Sequence, residues 1–172
     1  MNFLAMQTLF QIALITHIVG ITLMAGTTLV EYLLTKRFWK LYAIDRSRAI
    51  TTNEDGFNFH LLVNIGVILL ILSGVTMLVI FQGVFAKQIW FQIKIGLIII
   101  IAINGAVVGR RQDVKLKRLM SLEKLNFHQS DPLGQENRKE DFIRVKHRLN
   151  LFYISQLLMF LTIFTLSVFK FN

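Results

Sequence analysis

The sequence predicts an all-α membrane protein, a four-transmembrane-helix bundle with a cytoplasmic helical extension between helices 3 and 4. Three observations carry this expectation. The 172 residues are 54% hydrophobic, a proportion too high for an ordinary soluble domain of this length. Runs of about 20 mostly apolar residues, long enough to cross ~30 Å of hydrocarbon, occur at residues 11–34, 59–82, 89–109 and 149–169. The net charge of +9 is uneven: residues 36–57 hold five Lys or Arg and residues 110–148 hold eleven, while the opposite ends carry little besides Lys87 and Lys170. By the positive-inside rule both basic loops are cytoplasmic and both termini lie outside. The basicity is thereby a topology signal placed near anionic headgroups, and nucleic acid is not expected as a partner. Residues 1–172 are expected to form a single integral membrane domain in contact with the lipid bilayer.

The first long apolar run, residues 3–34, contains the two residues a bilayer tolerates least, His17 and Glu31. His17, Gly20, Met24, Thr27 or Thr28, and Glu31 recur at steps of three to four residues, so on a helix they form one small and polar stripe. That stripe should face protein. Residues 1–10 contain no Lys or Arg, so the basic n-region of a secretory signal is missing and the first helix is expected to be retained. The chain has no cysteine, which excludes disulfides, thiolate clusters and covalent c-type haem attachment. Haem held by histidine remains open.

After the first span, Lys36-Arg37-Phe38-Trp39-Lys40-Leu41-Tyr42 mixes cations with rings, the composition of an interfacial anchor. Thr51-Thr52-Asn53-Glu54-Asp55-Gly56 reads as a turn before the second span. The second span opens with His60 and Asn64 one turn apart, and its Gly66 and Gly74 permit close helix contact. Gly83-Val84-Phe85-Ala86-Lys87 is short, which makes spans 2 and 3 antiparallel neighbours. Span 3 starts with Trp90, an interface anchor, and carries Lys94 one turn deeper, where an ammonium must snorkel, find a partner or lose its proton. The charged residues 110–125 are still punctuated by apolar ones, and Ser130-Asp131-Pro132-Leu133-Gly134 is the clearest break. Residues 137–150 read as a basic helix leading into span 4.

Depth decides which of these groups can meet. His17 lies nineteen residues from Lys36 and Lys94 lies sixteen from Arg110, hence roughly 28 and 24 Å from the inner boundary at ~1.5 Å per residue. Both belong to the outer third of the membrane. His60, Glu31, Asn104, His147, Arg148 and Asn150 fall near the opposite end. His17 and His60 are therefore some 20 Å apart along the normal and cannot ligate one iron within one subunit. For Glu31 an ion pair with Lys36 or Arg37 is expected, and His128 and His147 are expected to be solvated. No HExxH, Walker-type loop, nucleophile elbow or zinc spacing occurs, so hydrolytic and nucleotide-driven chemistry find no motif.

The pattern His17-Ile18-Val19-Gly20 followed by Met24-Ala25-Gly26 resembles the first-helix signature of four-helix bacterial membrane proteins. That group includes the HemJ-type protoporphyrinogen oxidases and the related CopD-like and uncharacterised integral membrane families. Trp90-Phe91-Gln92-Ile93-Lys94-Ile95 resembles their tryptophan-to-lysine start of helix three, with weaker similarity at His147-Arg148-Leu149-Asn150 and Val168-Phe169-Lys170-Phe171. Met24 stands where an aromatic is usual in that group, and Asn104-Gly105 where helix three often carries a histidine. The resemblance implies a bacterial inner-membrane protein with a haem b site on His17 and Lys94 needed for activity. Such proteins oxidise protoporphyrinogen IX and pass electrons onward to a membrane acceptor.

Three functional readings follow. In the first, His17 is the metal ligand of a haem b or porphyrin, and Lys94 is a cofactor-binding and catalytic cation that pairs with a carboxylate or tunes proton transfer. In the second, the chain is a non-enzymatic transport or assembly subunit whose buried polar groups form a path or hold helices together. In the third it handles copper, with Met24 and Met77 facing the outer cluster. Small-residue faces on the helices make a homo-oligomer the expected assembly.

Overall fold

The computed structural model describes residues 3–54, 59–125 and 132–169. The turn expected at Asp55-Gly56, the break at Ser130-Asp131, His128, Lys170 and the side chain of His60 lie outside the described residues. Among the described residues the chain is helical, without a strand: α1 (Phe3–Ile44), α2 (Arg46–Glu54), α3 (Phe59–Ile80), a 3-10 turn at Val84–Lys87, α4 (Ile89–Asn104), a π-helical segment at Gly105–Gly109, α5 (Arg110–Leu125) and α6 (Pro132–Val168). Four helices among these residues are long and apolar enough to cross a membrane.

Three of the four spanning helices overrun the boundaries that hydropathy suggests, and α3 does not. α1 is 42 residues long and continues past residue 34 through the basic aromatic segment, because leaving hydrocarbon removes the apolar requirement but not the backbone hydrogen bonds. It stops at Asp45, whose Oδ1 accepts the Arg48 N–H at 3.0 Å and caps α2. Thr51 and Thr52, expected in a turn, lie inside α2 and donate their hydroxyls to the Ser47 and Arg48 carbonyls at 3.0 and 2.8 Å. α3 ends where Gln82 and Gly83 take positive φ values of 50° and 72°. The Gly83 N–H then reaches back to the Leu78 carbonyl at 3.0 Å, the wide bond that closes a helix on a left-handed residue. The start of α6 at Pro132 suits a residue with a fixed φ and no N–H to lose in a first turn.

The chain divides into two compact units. The first comprises Met1–Glu31, Asn58–Ile99 and Met159–Asn172. Here α1 and α3 run antiparallel, with Phe10 edge-on to Phe81 at 5.3 Å, His17 bonded to Ser73 and Gly20 against Gly66. The glycine crossing is backbone on backbone: a Cβ on Gly20 would stand 3.0 Å from both the Gly66 carbonyl oxygen and the Leu70 nitrogen. Ala13, Met24, Thr27 and Thr28 are buried, so the small and polar stripe of α1 does face protein. Away from it, Ile68, Leu72, Val75 and Val79 of α3 are exposed although apolar, as hydrocarbon-facing positions should be.

The second unit comprises Tyr32–Phe57 and Ile100–Leu158. Its core joins Phe38 of α1, Ala49 and Ile50 of α2, Leu116, Leu119 and Met120 of α5, and Phe142, Val145, Leu149 and Tyr153 of α6. Of the residues read as an interfacial anchor, Phe38 is therefore a core residue, and Trp39, Leu41 and Tyr42 pack around it. Tyr42 donates its hydroxyl to Glu123 Oε2 at 2.5 Å, and Arg46 lies 3.5 Å from the other carboxylate oxygen. A hydroxyl bonded to a carboxylate contributes ~1.5–3 kcal/mol. Tyr42→Phe should accordingly lower the thermal midpoint in detergent by several degrees, and a midpoint unchanged within 1 °C, about 0.3–0.5 kcal/mol for a chain of this length, would show that this bond adds nothing.

Candidate functional site

In the first unit the antiparallel register of α1 and α3 puts His17 opposite Ser73, with His17 Nδ1 and Ser73 Oγ 3.0 Å apart. The serine hydroxyl has one proton, and its Oγ lies 2.6 Å from the Leu69 carbonyl oxygen, the shortest of its contacts. It donates there. With that proton given to Leu69, the hydroxyl presents a lone pair toward the imidazole, which suits the tautomer with its hydrogen on Nδ1. The backbone of Leu70 offers the ring a further acceptor. Ser73 is 3% exposed and so holds a fixed position. Gly74 completes the wall, because a Cβ there would lie 3.8 Å from His17 Cε1.

Lys94 stands near this imidazole, close enough for the two to interact electrostatically. Its ammonium lies 4.7 Å from the centre of the Trp90 ring, a cation–π arrangement in which an aromatic face supports a partly desolvated charge. Trp90 is buried, and its indole N–H has no acceptor. Phe85 and Phe91 stand against it at 5.8 and 5.9 Å. A histidine of the first apolar helix and a lysine of the third are thus near enough to interact. Two participants escaped the sequence reading. Ser73 could have been found from its seven-residue spacing to Gly66, which places both on one face; Trp90 was read only as an anchor.

The remaining candidates are placed as follows. Met24, the expected copper donor, lies in the α1/α3 crossing, where its Cγ would be 2.9 Å from a Cβ on Gly66, so it fills space there. No group of three or more His, Cys, Asp or Glu able to hold a metal occurs among the described residues. Lys36 lies over the Tyr32 ring at 4.6 Å, Glu31 is half-buried, and Asn64 and His147 are exposed.

The second unit carries its own polar group at the level of the π-helical segment. Asn104 Nδ2 donates to Ser155 Oγ at 3.2 Å and Gln156 Nε2 donates to the Ile101 carbonyl at 3.0 Å. Gln156 is 4% exposed, and its Oε1 has no partner. The segment is wound so that the Arg110 N–H bonds the carbonyl of Gly105, five residues back. At Gly109 a Cβ would be 2.7 Å from Phe152 Cζ, so a larger residue would have to displace that ring. These contacts join α4 to α6. Comparison with protein families, with characterised proteins and with solved structures returns no match to this chain.

Proposed function

We propose that this chain is a four-span, inner-membrane bundle that holds a b-type haem or porphyrin through His17 and serves electron transfer or porphyrinogen oxidation. The observation that supports it is the buried Ser73 oxygen 3.0 Å from His17 Nδ1: a hydroxyl that gives its own proton to the Leu69 carbonyl favours Nδ1–H on the imidazole, the tautomer that offers Nε2 to a ligand. Metal-ligating histidines are held in this way. The donor set fits the group further, since a tetrapyrrole brings carboxylates and the site offers the Lys94 ammonium and an acceptor-less Trp90 N–H. Bound haem would supply one-electron chemistry at iron. In this reading His17 holds the group, Ser73 fixes the ring, and Lys94 anchors a carboxylate or moves a proton at its Nζ. In this reading the site lies toward the outer face and α2, α5 and the start of α6 form the cytoplasmic extension, which the distribution of basic residues supports.

Full-length protein purified in detergent from haem-replete cells should show a Soret band. His17→Ala should lose it. Ser73→Ala should weaken haem affinity 10- to 100-fold, the usual cost of removing the partner that orients a ligating histidine. Lys94→Ala should keep the band while lowering porphyrinogen turnover. A folded, colourless wild-type protein would sink the reading. That outcome would favour the non-enzymatic alternative, which draws on the Asn104, Ser155 and Gln156 contacts and the unpartnered Gln156 oxygen.

A further inference from the structure

α5 begins directly where the apolar run of α4 and the π-helical segment ends, so its first turns stand at the membrane boundary. On it Arg111, Lys115 and Arg118 follow at steps of four and three and share one face. They line a groove of about 420 Å³ together with Val114, Leu122 and, from α6, Asp141. The groove is positively charged on balance. Lys115 is bonded to Asp141 at 2.8 Å, so that lysine and that carboxylate neutralise one another and the guanidiniums of Arg111 and Arg118 set the sign. Its wall is apolar: Val114 and Leu122 are exposed, at 59% and 39%.

We propose that this groove binds the phosphate headgroup of an anionic membrane phospholipid. Guanidinium is the side chain suited to phosphate, because its planar fork gives two parallel hydrogen bonds to adjacent oxygens. Arg111 and Arg118 start roughly 10 Å apart along the helix, and both arms can close on one phosphodiester. A soluble phosphate would use the cations and leave Val114 and Leu122 facing water. A phospholipid uses both, with its phosphate on the guanidiniums and its glycerol and upper acyl carbons on the apolar wall. The position at the end of a membrane span also puts the groove where headgroups are the most abundant anions.

The test is binding of phosphatidylglycerol against phosphatidylcholine to the full-length, detergent-purified chain, read by native mass spectrometry and by competition in nanodiscs. The wild type should retain phosphatidylglycerol preferentially. Arg111→Gln and Arg118→Gln should each reduce that preference roughly fivefold, and the double variant roughly 25-fold. Both arginines are exposed, so these variants should fold; elution as a single species and an unchanged helical signal check this. Lys117→Gln/Arg144→Gln removes the same charge outside the groove and should leave the preference intact. The proposal is overturned if the double variant keeps the preference, if the control pair loses it equally, or if millimolar inorganic phosphate displaces the lipid. The last outcome would reassign the groove to a soluble phosphate.

Discussion

Gly66→Leu should force α1 and α3 apart and lower the stability of the protein by roughly 3 kcal/mol or more, above the range usual for adding one or two methylenes to a packed site. The physical reason lies in what surrounds this glycine. A Cβ on Gly66 would lie 2.9 Å from the Gly20 carbonyl oxygen and from Met24 Cγ, and 3.2 Å from the Met24 nitrogen. The methionine can rotate, but the backbone of α1 cannot. Gly66→Ala should cost less, ~1–3 kcal/mol, offset in part by the ~1 kcal/mol that alanine gains over glycine in a helix. Gly96→Ala supplies the control, because nothing lies within 4 Å of a Cβ there; it should be neutral or stabilising by up to ~1 kcal/mol. Thermal unfolding in detergent reads the series. Equal midpoints for Gly66→Leu and Gly96→Ala would mean that the close crossing is not populated in solution. The same substitution connects packing to chemistry, since Ser73 lies two turns from Gly66 on the same face of α3. Splaying the helices should break the 3.0 Å contact with His17 and weaken any Soret band that His17→Ala abolishes.

Phe142→Ala should destabilise the second unit by ~3–5 kcal/mol, the loss expected when a buried phenyl ring is removed from a well-packed core. Phe142 is 3% exposed and stacks at a tilt on Tyr42 at 4.9 Å, with Trp39 edge-on at 6.2 Å. Removing it opens a cavity at the junction of α1 and α6 and leaves Tyr42 and Trp39 with each other and Phe38 as ring neighbours. The nearby Ile143, 66% exposed on the same helix, is the matched surface control and should tolerate alanine within ~0.5 kcal/mol. Limited proteolysis within residues 110–148, together with the melting midpoint, distinguishes the two variants. Indistinguishable cleavage rates would show that α1 does not pack on α6 as described.

The spans were legible because hydrocarbon imposes a length and an apolar composition that few other environments demand, and each of the four runs falls on a helix, with the second and fourth runs extending a residue or two past its end. The stripe of α1 was legible for a related reason, as helical periodicity brings His17, Gly20, Met24 and Thr28 to one face whatever lies opposite. Helix ends were not. Hydropathy changes at residue 34 and at Gly109, but the hydrogen-bonded backbone passes both points, α1 running to the Asp45 cap and the third span continuing to Leu125, whereas α3 ends near residue 82, at the positive φ of Gln82 and Gly83. The segment read as an interfacial anchor misled because aromatic rings beside cations suit a headgroup layer and an amphipathic core equally well. Only the presence of α2, α5 and α6 against it turned Phe38 inward.

What the sequence alone determined, then, is that the chain is helical and that four of its helices can span a bilayer, because both follow from periodicity and length. The tertiary structure decided which oxygen faces His17, that of Ser73. It also decided that Gly66 and Gly20 meet backbone to backbone, and that Arg111 and Arg118 border a groove with an apolar wall. Those outcomes depend on the register between helices distant in sequence, and no residue carries that register by itself; it is fixed by how two complete surfaces fit.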